Sequence, residues 1–453
     1  MEKRELRAAT SLASVFSVRM LGLFMIYPVF ATFARRLPGA SPYTIGLALG
    51  IYGLTQGLLQ MPFGLLSDRL GRKVMIVLGL ALFGLGSAVA ANARTIEGMI
   101  WGRALQGAGA VGSVVLAMVG DLTSEENRTS AMAMVGMTIG LSFLVAIVTG
   151  PVVGAWIGIS GIFWLMSALA LVGIAITLFI VPAPRVLRVH RDAEAVPAMI
   201  GSTLRNPELL RLDFGIFALH AMLTASFLVV PGLLAATLGV KPRTEWLVYL
   251  PVLLVSVAVM VPAIIVGERF RRMKTVLVAA VAALAASQFM LAAAGQDKWA
   301  LLAAITLFFA AFNVMEASLP SLVTKIAPAA AKGTATGVYS SSQFLGIFVG
   351  GLAGGWVHQH LGAAAVFEYA GALALLWLLI AATMRRPSYL ASRVLRIASV
   401  VDPVRLKERL LEVPGVAEAV VVPEEGVAYL KVDSKRFDRQ QAEAVAGAPA
   451  AAA

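Results

Sequence analysis

The sequence lacks cysteine, contains only four histidines, and has charged residues at only 14% of its 453 positions. Without cysteine the protein cannot form disulfides, thiolate metal sites or a thiol nucleophile. The histidines lack metal-binding spacing, and no P-loop, nucleophile elbow or dinucleotide-binding fingerprint occurs. We therefore expect neither an enzyme nor a protein with a bound metal or cofactor. The lack of a nucleotide site also argues against any direct use of ATP.

Hydrophobic residues are abundant instead. They make up 59% of the chain, whereas soluble domains average roughly 45–50% apolar residues. Apolar runs of about twenty residues recur along the whole chain, and this length crosses about 30 Å of hydrocarbon. The charged N-terminus is followed by an apolar stretch too long for a signal peptide, so we expect no cleaved leader. The composition predicts an all-α membrane protein.

Charged or turn-rich breaks divide the chain into twelve predicted transmembrane helices. The first six span 10–34, 42–66, 73–92, 96–119, 128–155 and 160–181, and the other six span 211–237, 244–267, 274–294, 298–323, 333–357 and 362–384. The longest break, 182–210, is rich in proline and divides the spans six and six. We therefore predict an N-terminal six-helix bundle at 1–181, a cytoplasmic linker at 182–210 and a C-terminal six-helix bundle at 211–386.

The two halves resemble each other at an offset of about 200 residues. GPVVGAW at 150–156 aligns with GGLAGGW at 350–356, and Gly64 before one basic loop parallels Gly267 before another. Two six-helix repeats related by an axis along the membrane normal, with a substrate site between them near the midplane, form a known transporter plan. The pattern predicts two pseudo-symmetric bundles, although glycine-rich helices can also look alike by chance.

Positive charge is concentrated on one side of the predicted membrane. The net charge of +12 lies entirely within residues 1–386, because 387–453 carries nine basic and nine acidic residues. Loops assigned to the cytoplasm hold 20 lysines and arginines, including Arg185, Arg188 and Arg191, whereas the opposite loops hold 6. This bias predicts a multi-pass protein with both termini in the cytoplasm. It explains the charge without a nucleic acid partner.

The string GLLSDRLGRK at 64–73 lies at the cytoplasmic end of the second predicted span. It resembles motif A of the major facilitator superfamily, a family of membrane transporters. Gly64 permits close helix approach, Gly71 permits a tight turn, and Asp68 can meet the positive N-terminus of another helix. A positive-inside turn alone would explain the cations but not Asp68 or the glycines. The motif A candidates are Gly64, Asp68, Arg69, Gly71, Arg72 and Lys73.

The resemblance also implies what motif A contacts. The helix that Asp68 meets would be the eleventh, starting near Gly333, and Arg72 would pair with Asp121 at the inner end of the fourth span. These contacts would link helices in the outward-open state of a transport cycle.

The fourth span carries RALQGAGA at 103–110, which resembles motif B of the same family. Arg103, Gln106 and Gly107 are therefore candidates for proton coupling. An arginine inside a membrane span is costly enough to suggest a function. Because Arg103 lies roughly 10 Å of helix from the predicted outer end of its span, snorkelling to the membrane surface is the alternative.

The fifth span carries TGPVVGA at 149–155, which resembles motif C and implies the antiporter branch of the family. Pro151 bends a helix, and Gly150 and Gly154 form a small-xxx-small packing face. Glycine is expected where this chain has Ala155 and Leu141. Ordinary helix packing explains the glycines equally well, so antiport is one of two interpretations of this motif.

Four further polar residues at membrane depth are candidates for a proton or substrate pathway: Arg19, His220, Asn313 and Glu316. Glu316 is the best candidate for reversible protonation, because burial disfavours a charged carboxylate. His220 is the second, since imidazole titrates near neutrality. A satisfied structural pair is the alternative for both. Asp213 lies close to a span end and is expected at the membrane interface.

Residues 393–445 differ in composition and predict a small cytoplasmic α+β domain. VLRIASV alternates like a strand, Asp402 and Pro403 begin a helix, and AEAVVV and VAYLKV flank Pro-Glu-Glu-Gly as a hairpin. DRQQAEAVAG begins a second helix, which gives a ferredoxin-like β-α-β-β-α order without the last strand. Heavy-metal-associated domains share this order, but their C-x-x-C pair is absent here. The Ala-rich end at 446–453 is expected to be disordered.

These features together closely resemble the YajR group of bacterial facilitators, which carry a YAM domain. The resemblance rests on SVRMLG in the first span, the motif A string, EASLPSL in the tenth span, KGTATGVYSSSQFLG in the eleventh and the tail. It implies a proton-driven antiporter of the bacterial inner membrane and does not indicate the substrate.

The leading hypothesis is proton-coupled efflux of a small, drug-like molecule by alternating access, with the proton gradient as the energy source. Uniport or symport of a sugar or lipid is the alternative from the same fold. A membrane sensor that signals through its C-terminal domain is the alternative from another class. The expected partners are the lipid bilayer, protons and a small-molecule substrate. We expect a monomer, with the C-terminal domain as a site for self-association.

Overall fold

The computed structural model describes residues 3–183, 196–385, 390–397, 402–433 and 435–447. The linker arginines Arg185, Arg188 and Arg191 lie outside the described residues, as does the end of the predicted disordered tail. Ala446, which the prediction assigned to that tail, is the last residue of a helix.

The N-terminal half is entirely helical between its loops. Its elements are α1 (Lys3–Met25), α2 (Tyr27–Ala34), α3 (Pro42–Leu70), α4 (Arg72–Ala91), α5 (Ile96–Ala108), α6 (Gly112–Leu122) and α7 (Glu125–Ala175), followed by a π-helical turn at Ile176–Ile180. The first and fourth predicted spans are each broken into two helices. The fifth and sixth form one continuous element, α7, interrupted by Gly158 at φ 69° and ψ 179°. A positive φ favours glycine, so the chain turns there between the two predicted spans.

The C-terminal half is also helical and follows a short helix in the linker. Its elements are α8 (Pro197–Thr203), α9 (Pro207–Phe227), α10 (Val230–Leu238), α11 (Trp246–Arg269), α12 (Met273–Ala293), α13 (Lys298–Ile326), α14 (Lys332–Leu361) and α15 (Ala363–Ala382). Short 3-10 turns lie at Pro242–Thr244 and Ala329–Ala331.

Nine helical segments of the described chain are long and apolar enough to cross a membrane. The segment that contains α7 counts once among them, although Gly158 divides it. The glycine-rich helices α3 and α14, of 29 and 30 residues, are not among the nine. The multi-pass character is therefore clear from the helices, and the number twelve stays a prediction.

The two halves use glycine in the same way to pack their helices. A Cβ atom on Gly150 in α7 would lie 2.6 Å from the backbone oxygen of Met25 in α1. A Cβ atom on Gly350 in α14 would lie 2.2 Å from the backbone oxygen of Ala221 in α9. In each half, a glycine therefore lets one helix (α7 or α14) contact the backbone of the first transmembrane helix of that half (α1 or α9), which fits the predicted repeat.

The two bundles pack tightly against each other in the half of the molecule that holds the predicted outer loops. In this outer half, the ring of Tyr27 lies 5.5 Å from that of Phe227. The backbone N–H of Tyr43 in α3 donates to Oε1 of Gln359 in α14 at 3.2 Å. At Gly46 a Cβ atom would lie only 2.2 Å from the backbone oxygen of Gly351, so glycine is required for this approach of α3 to α14.

The C-terminal domain consists of β1 (Ala391–Arg396), α16 (Pro403–Leu411), β2 (Val416–Val422), β3 (Val427–Val432) and α17 (Arg439–Ala446). The strands form an antiparallel sheet in the order β1-β3-β2, and no fourth strand occurs among the described residues. The Asp402 side chain caps α16 by accepting from the backbone N–H groups of Val404 and Arg405, as its position before Pro403 predicts. The β-α-β-β-α order is confirmed, with β1 starting three residues before the predicted strand at 394.

Strand β3 is buried on both faces, because the sheet is covered on each side. Ala428, Leu430 and Val432 face the domain's own core. Val427 and Tyr429, on the opposite face, pack with Ala330 from the turn between α13 and α14. Alternate side chains of a strand point to opposite faces, so the second cover is the membrane domain itself.

Polar contacts also hold the C-terminal domain against the membrane domain. The Lys431 ammonium donates to the backbone oxygen of Lys325 at the end of α13. Asp433 lies 3.8 Å from Arg271 in the loop after α11. Burial lowers the pKa of Lys431; the Glu418 carboxylate opposes this shift, and the neighbouring charge of Lys332 adds a smaller lowering.

Candidate functional site

Three polar side chains meet inside the C-terminal bundle, and each comes from a different helix. The Nε2 atom of His220 on α9 lies 2.8 Å from the side-chain nitrogen of Gln343 on α14. Its Nδ1 atom lies 3.3 Å from the backbone oxygen of Ile216. Oε2 of Glu316 on α13 lies 3.8 Å from the same Nε2 atom. These contacts fit a neutral imidazole that donates through Nδ1–H and accepts through Nε2.

The Glu316 carboxylate has few interactions for a group at this depth. Its Oε2 atom is buried and makes no hydrogen bond within the described chain. The side chain keeps 30% of its surface accessible, whereas His220 keeps 2%. Neighbouring polar atoms, Nδ2 of Asn313 and the hydroxyl of Tyr339, are also buried without hydrogen bonds in the same part of the chain. Among the described residues, the basic side chain that lies within 4 Å of Glu316 is His220, and no arginine does.

Aromatic rings surround this polar cluster and connect it to the N-terminal bundle. The ring of Phe312 lies 5.9 Å from that of His220. Phe143, on α7 of the other bundle, stacks on Phe312 at 5.6 Å and lies 6.4 Å from Phe309. The two bundles therefore meet at an apolar wall beside the titratable groups, the combination that small-molecule sites share.

Asp213 lies two helical turns before His220 on α9 and does not face the surface of the protein. It is buried, with 6% of its surface accessible, and its Oδ2 atom makes no hydrogen bond within the described chain. The prediction of an interfacial position did not include this burial, which results from the packing of α9 against α14 and α15.

Arg19 is a fully buried cation in the N-terminal bundle, with 1% of its surface accessible. Its Nη2 atom donates to the Tyr52 hydroxyl at 2.7 Å and to Oε1 of Gln56. Its guanidinium lies 5.7 Å from the centre of the Phe83 ring. Its Nε and Nη1 atoms make no hydrogen bond within the described chain.

Arg103 of motif B points into the bundle and does not snorkel. It is 1% accessible, and its guanidinium lies 4.8 Å from the centre of the Tyr52 ring. It donates to Oε1 of Gln106 and, at 3.3–3.4 Å, to the backbone oxygens of Ala48 and Leu49 on α3. The snorkelling alternative was wrong, because α3 supplies oxygen atoms for the guanidinium inside the bundle.

The other two motif B residues, Gln106 and Gly107, connect α5 to its neighbouring helices α4 and α3. Gln106 donates through Nε2 to the Ser87 hydroxyl on α4 at 2.8 Å. A Cβ atom on Gly107 would lie 2.3 Å from the backbone oxygen of Tyr52, so α5 contacts α3 along its backbone.

Motif A forms the expected ion pair with α6. Nε of Arg72 lies 2.9 Å from Oδ2 of Asp121, and the two side chains are 1% and 0% accessible. Arg72 also donates to Asp68 and to the Ser67 hydroxyl. Gly71 adopts φ 96°, a conformation that favours glycine and permits the turn from α3 to α4. Arg69 is exposed, and Nζ of Lys73 lies 3.5 Å from the backbone oxygen of Leu178.

The expected contact of Asp68 with the eleventh helix is not formed. Its carboxylate pairs with Arg72 and makes no hydrogen bond to α14 in the described chain. A cleft separates them instead, lined by Gly64 and Asp68 on one side and by Gly333 and Gly337 on the other. The pair of Arg72 with Asp121 is thus present although, among the described residues, Asp68 makes no hydrogen bond to the start of α14.

Motif C packs against the break between α1 and α2. Gly150 contacts Met25, and a Cβ atom on Gly154 would lie 3.1 Å from the side chain of Val29. Leu141, where the pattern expects glycine, is 62% accessible. Helix packing accounts for Gly150 and Gly154 in this position.

Sequence reasoning missed several members of these clusters. Tyr52, Gln56 and Gln343 contact the predicted arginines and histidine, yet each is an ordinary polar residue in a glycine-rich helix. No local signal identifies them, because their partners lie far away in the chain. No group of residues arranged to hold a metal ion occurs in the part of the chain that the structure describes.

Comparisons with known proteins agree with this architecture. The model for the Major Facilitator Superfamily matches residues 12–242 and 212–412, and the model for the YajR YAM domain matches residues 395–446. The inner membrane transport protein YajR of Escherichia coli (strain K12) is 45% identical over 442 residues, which are 97% of this chain and 97% of that protein. Multidrug resistance protein 2 of Bacillus subtilis (strain 168) is 33% identical over 175 residues, which are 37% of this chain and 42% of that protein.

A solved structure extends the comparison to the fold. The human organic anion transporter MFSD10 (TETRAN) matches with a TM-score of 0.62 at 18% identity, covering 84% of this chain and 100% of that one. At this identity the likeness concerns the fold alone.

Proposed function

This chain belongs to the Major Facilitator Superfamily, and we propose that it exports a small molecule across the bacterial inner membrane in exchange for protons. It is a YajR-like membrane transport protein with a C-terminal YAM domain, and it is not an enzyme. The exchange would be driven by the proton gradient alone. Both termini would face the cytoplasm, as the distribution of lysine and arginine predicts.

The observation that carries the proposal is the arrangement of Glu316 and His220. A carboxylate at membrane depth with a buried, unpaired oxygen is costly while charged. Protonation removes the charge, and it leaves undisturbed the neutral His220, whose Nε2 atom lies 3.8 Å away and accepts from Gln343. Binding of a proton therefore stabilises Glu316 in this buried position.

Exchange follows if the substrate and the proton compete for the same site. A substrate seated against Phe143 and Phe312 lies beside Glu316, because Phe312 is one turn before Glu316 on α13. A polar or cationic group on that substrate would favour the charged carboxylate and release the proton. The proton would rebind when the site faces the opposite side.

The aromatic wall also suggests the kind of substrate. Rings from both bundles would contact a flat or apolar molecule, with one polar group directed at Glu316. The multidrug resistance protein of Bacillus subtilis, which matches part of the chain, supports a drug-like molecule. The alternating-access movement would open the outer contacts between α3 and α14 as it closes the inner cleft.

Flux in proteoliposomes tests the proposal. A ligand found by a thermal-shift screen of the purified protein would be loaded and followed with and without an imposed pH gradient. We expect the gradient to accelerate export by the native protein and to have no effect on Glu316→Gln. Glu368→Gln, which changes an exposed carboxylate on α15, is the matched control and should respond like the native protein. A gradient response that survives in Glu316→Gln would refute the proposal.

Transport without proton coupling is the second candidate, favoured by the packing role of motif C. Gly150 and Gly154 are explained by their contacts with α1 and α2, without any role in exchange. A uniporter would move the ligand equally fast in both directions and ignore the gradient in every variant.

A further inference from the structure

A basic groove lies where α8, α9 and α15 meet at the inner end of the C-terminal bundle. Its volume is about 840 Å³. The residues that determine its chemistry are Ser202, Arg205, Glu208, Arg211, Thr383 and Arg385. It is remote from the Glu316 site, because it is built from the ends of the helices and not from their middles.

The groove has more positive charge than its own carboxylate can neutralise. Glu208 is engaged twice, through Arg211 at 2.5 Å and through the backbone N–H of Arg385 at 3.2 Å. The guanidinium groups of Arg205 and Arg385 have no partner within the described chain. Three guanidinium groups and one carboxylate give the groove a net charge of +2.

The groove also lies where a membrane surface would meet the protein. Helix α9 begins at Pro207 and α15 ends at Ala382, and both are among the apolar spanning helices. Leu204 and Leu210 beside the groove are 46% and 42% accessible, although both are large apolar side chains. Basic cavities between helix ends on the cytoplasmic side suit anionic headgroups.

We propose that this groove binds a phosphate anion, and that its source is the headgroup of an anionic phospholipid in the inner leaflet. Guanidinium groups bind phosphate oxygens in pairs through their planar fork, which suits Arg205 and Arg385. The exposed leucines would contact the acyl chains, an interaction that free phosphate cannot use. The assignment of this leaflet rests on the proposed orientation of the chain.

Native mass spectrometry of the full-length protein in a zwitterionic detergent tests this inference. The probes are phosphatidylglycerol, phosphatidylcholine and inorganic phosphate, each titrated separately. The groove variant is Arg205→Gln with Arg385→Gln. The matched control is Arg269→Gln with Arg272→Gln, which removes two exposed arginines from the end of α11 and the loop after it, on the same side but outside the groove.

We expect phosphatidylglycerol to remain bound to the native and control proteins and to bind the groove variant about thirtyfold more weakly. Phosphatidylcholine, whose headgroup has no net charge, should bind all three weakly. Groove-dependent binding of inorganic phosphate without phosphatidylglycerol would support the phosphate site and assign it to a soluble ligand. If the groove variant does not fold, Arg205→Lys with Arg385→Lys replaces it, and the loss of the planar fork should weaken phosphatidylglycerol binding severalfold.

Two results would overturn the inference. One is equal loss of phosphatidylglycerol from the groove and control variants, which would mean that only the overall surface charge matters. The other is equal binding of phosphatidylcholine and phosphatidylglycerol by the native protein.

Discussion

Arg72 and Asp121 form an ion pair that is sealed from solvent, with 2.9 Å between Nε and Oδ2 and side chains that are 1% and 0% accessible. Removing one partner of such a pair takes away an interaction that offsets the cost of burying the other charge. The pair therefore matters for stability as well as for any movement of the helices that it joins.

Arg72→Ala should lower the free energy of unfolding by about 3 kcal/mol, because the buried Asp121 carboxylate loses its ion pair with Arg72. Arg72→Ala combined with Asp121→Ala should cost less than the sum of the two single changes. Thermal unfolding of the purified single and double variants measures these changes in stability. Arg69→Ala, an exposed cation in the same loop, is the control and should change stability by about 0.5 kcal/mol or less. Additive effects at Arg72 and Asp121 would contradict the pairing.

Gly46→Ala should weaken the outer contact between α3 and α14, because the new methyl group would lie 2.2 Å from the backbone oxygen of Gly351. Opening can be followed by labelling a single cysteine, since the natural chain has none. Thr224→Cys places that cysteine at a fully buried position facing Tyr27. We expect labelling by an impermeant maleimide to rise severalfold in the presence of Gly46→Ala. Gly136→Ala, where nothing lies within 4 Å, should leave labelling unchanged, and equal labelling in the two would refute the prediction.

Ala330→Glu should release the C-terminal domain from the membrane domain, because it places a charge among Val422, Val427 and Tyr429. Spin labels on cysteines at the exposed positions Ala417 and Arg269 would report the separation by electron paramagnetic resonance. We expect a broader and longer distance distribution. Ala444→Glu, at an exposed position of α17, should leave the distribution narrow. A narrow distribution in Ala330→Glu would show that the apolar cluster does not hold the domain.

Docking should also strengthen as the pH rises toward the pKa of lysine. Burial in the docked state lowers the pKa of Lys431, so docking disfavours its protonated form. The undocked state then holds more protons, and the free energy of docking becomes more favourable as the pH rises through the lowered pKa. The same pair of spin labels should report more of the short distance at alkaline pH. Lys431→Met should remove this dependence, and a pH response that persists in Lys431→Met would assign it to another group.

The sequence predicted features that are encoded locally. The turn from α3 to α4 follows from Gly71 in motif A, and the cap of α16 follows from Asp402 before Pro403. The turn at Gly158 falls between two predicted spans, although the helix there is otherwise continuous.

Contacts between distant parts of the chain could not be predicted in this way. The Gln343 contact with His220 joins residues 123 positions apart, and both lie in unremarkable helical segments. The burial of Asp213 depends on α14 and α15, which cover a residue whose position in the sequence suggests an interface. Such features depend on tertiary packing, which hydrophobic patterns do not specify.

The most direct test of proton exchange is the release of protons when a transported ligand binds the purified protein in a weakly buffered detergent solution. If the ligand and the proton compete at Glu316, the native protein and Glu368→Gln will release protons on binding. Glu316→Gln will bind the ligand without release. Equal proton release by the native protein and Glu316→Gln would contradict the proposed mechanism.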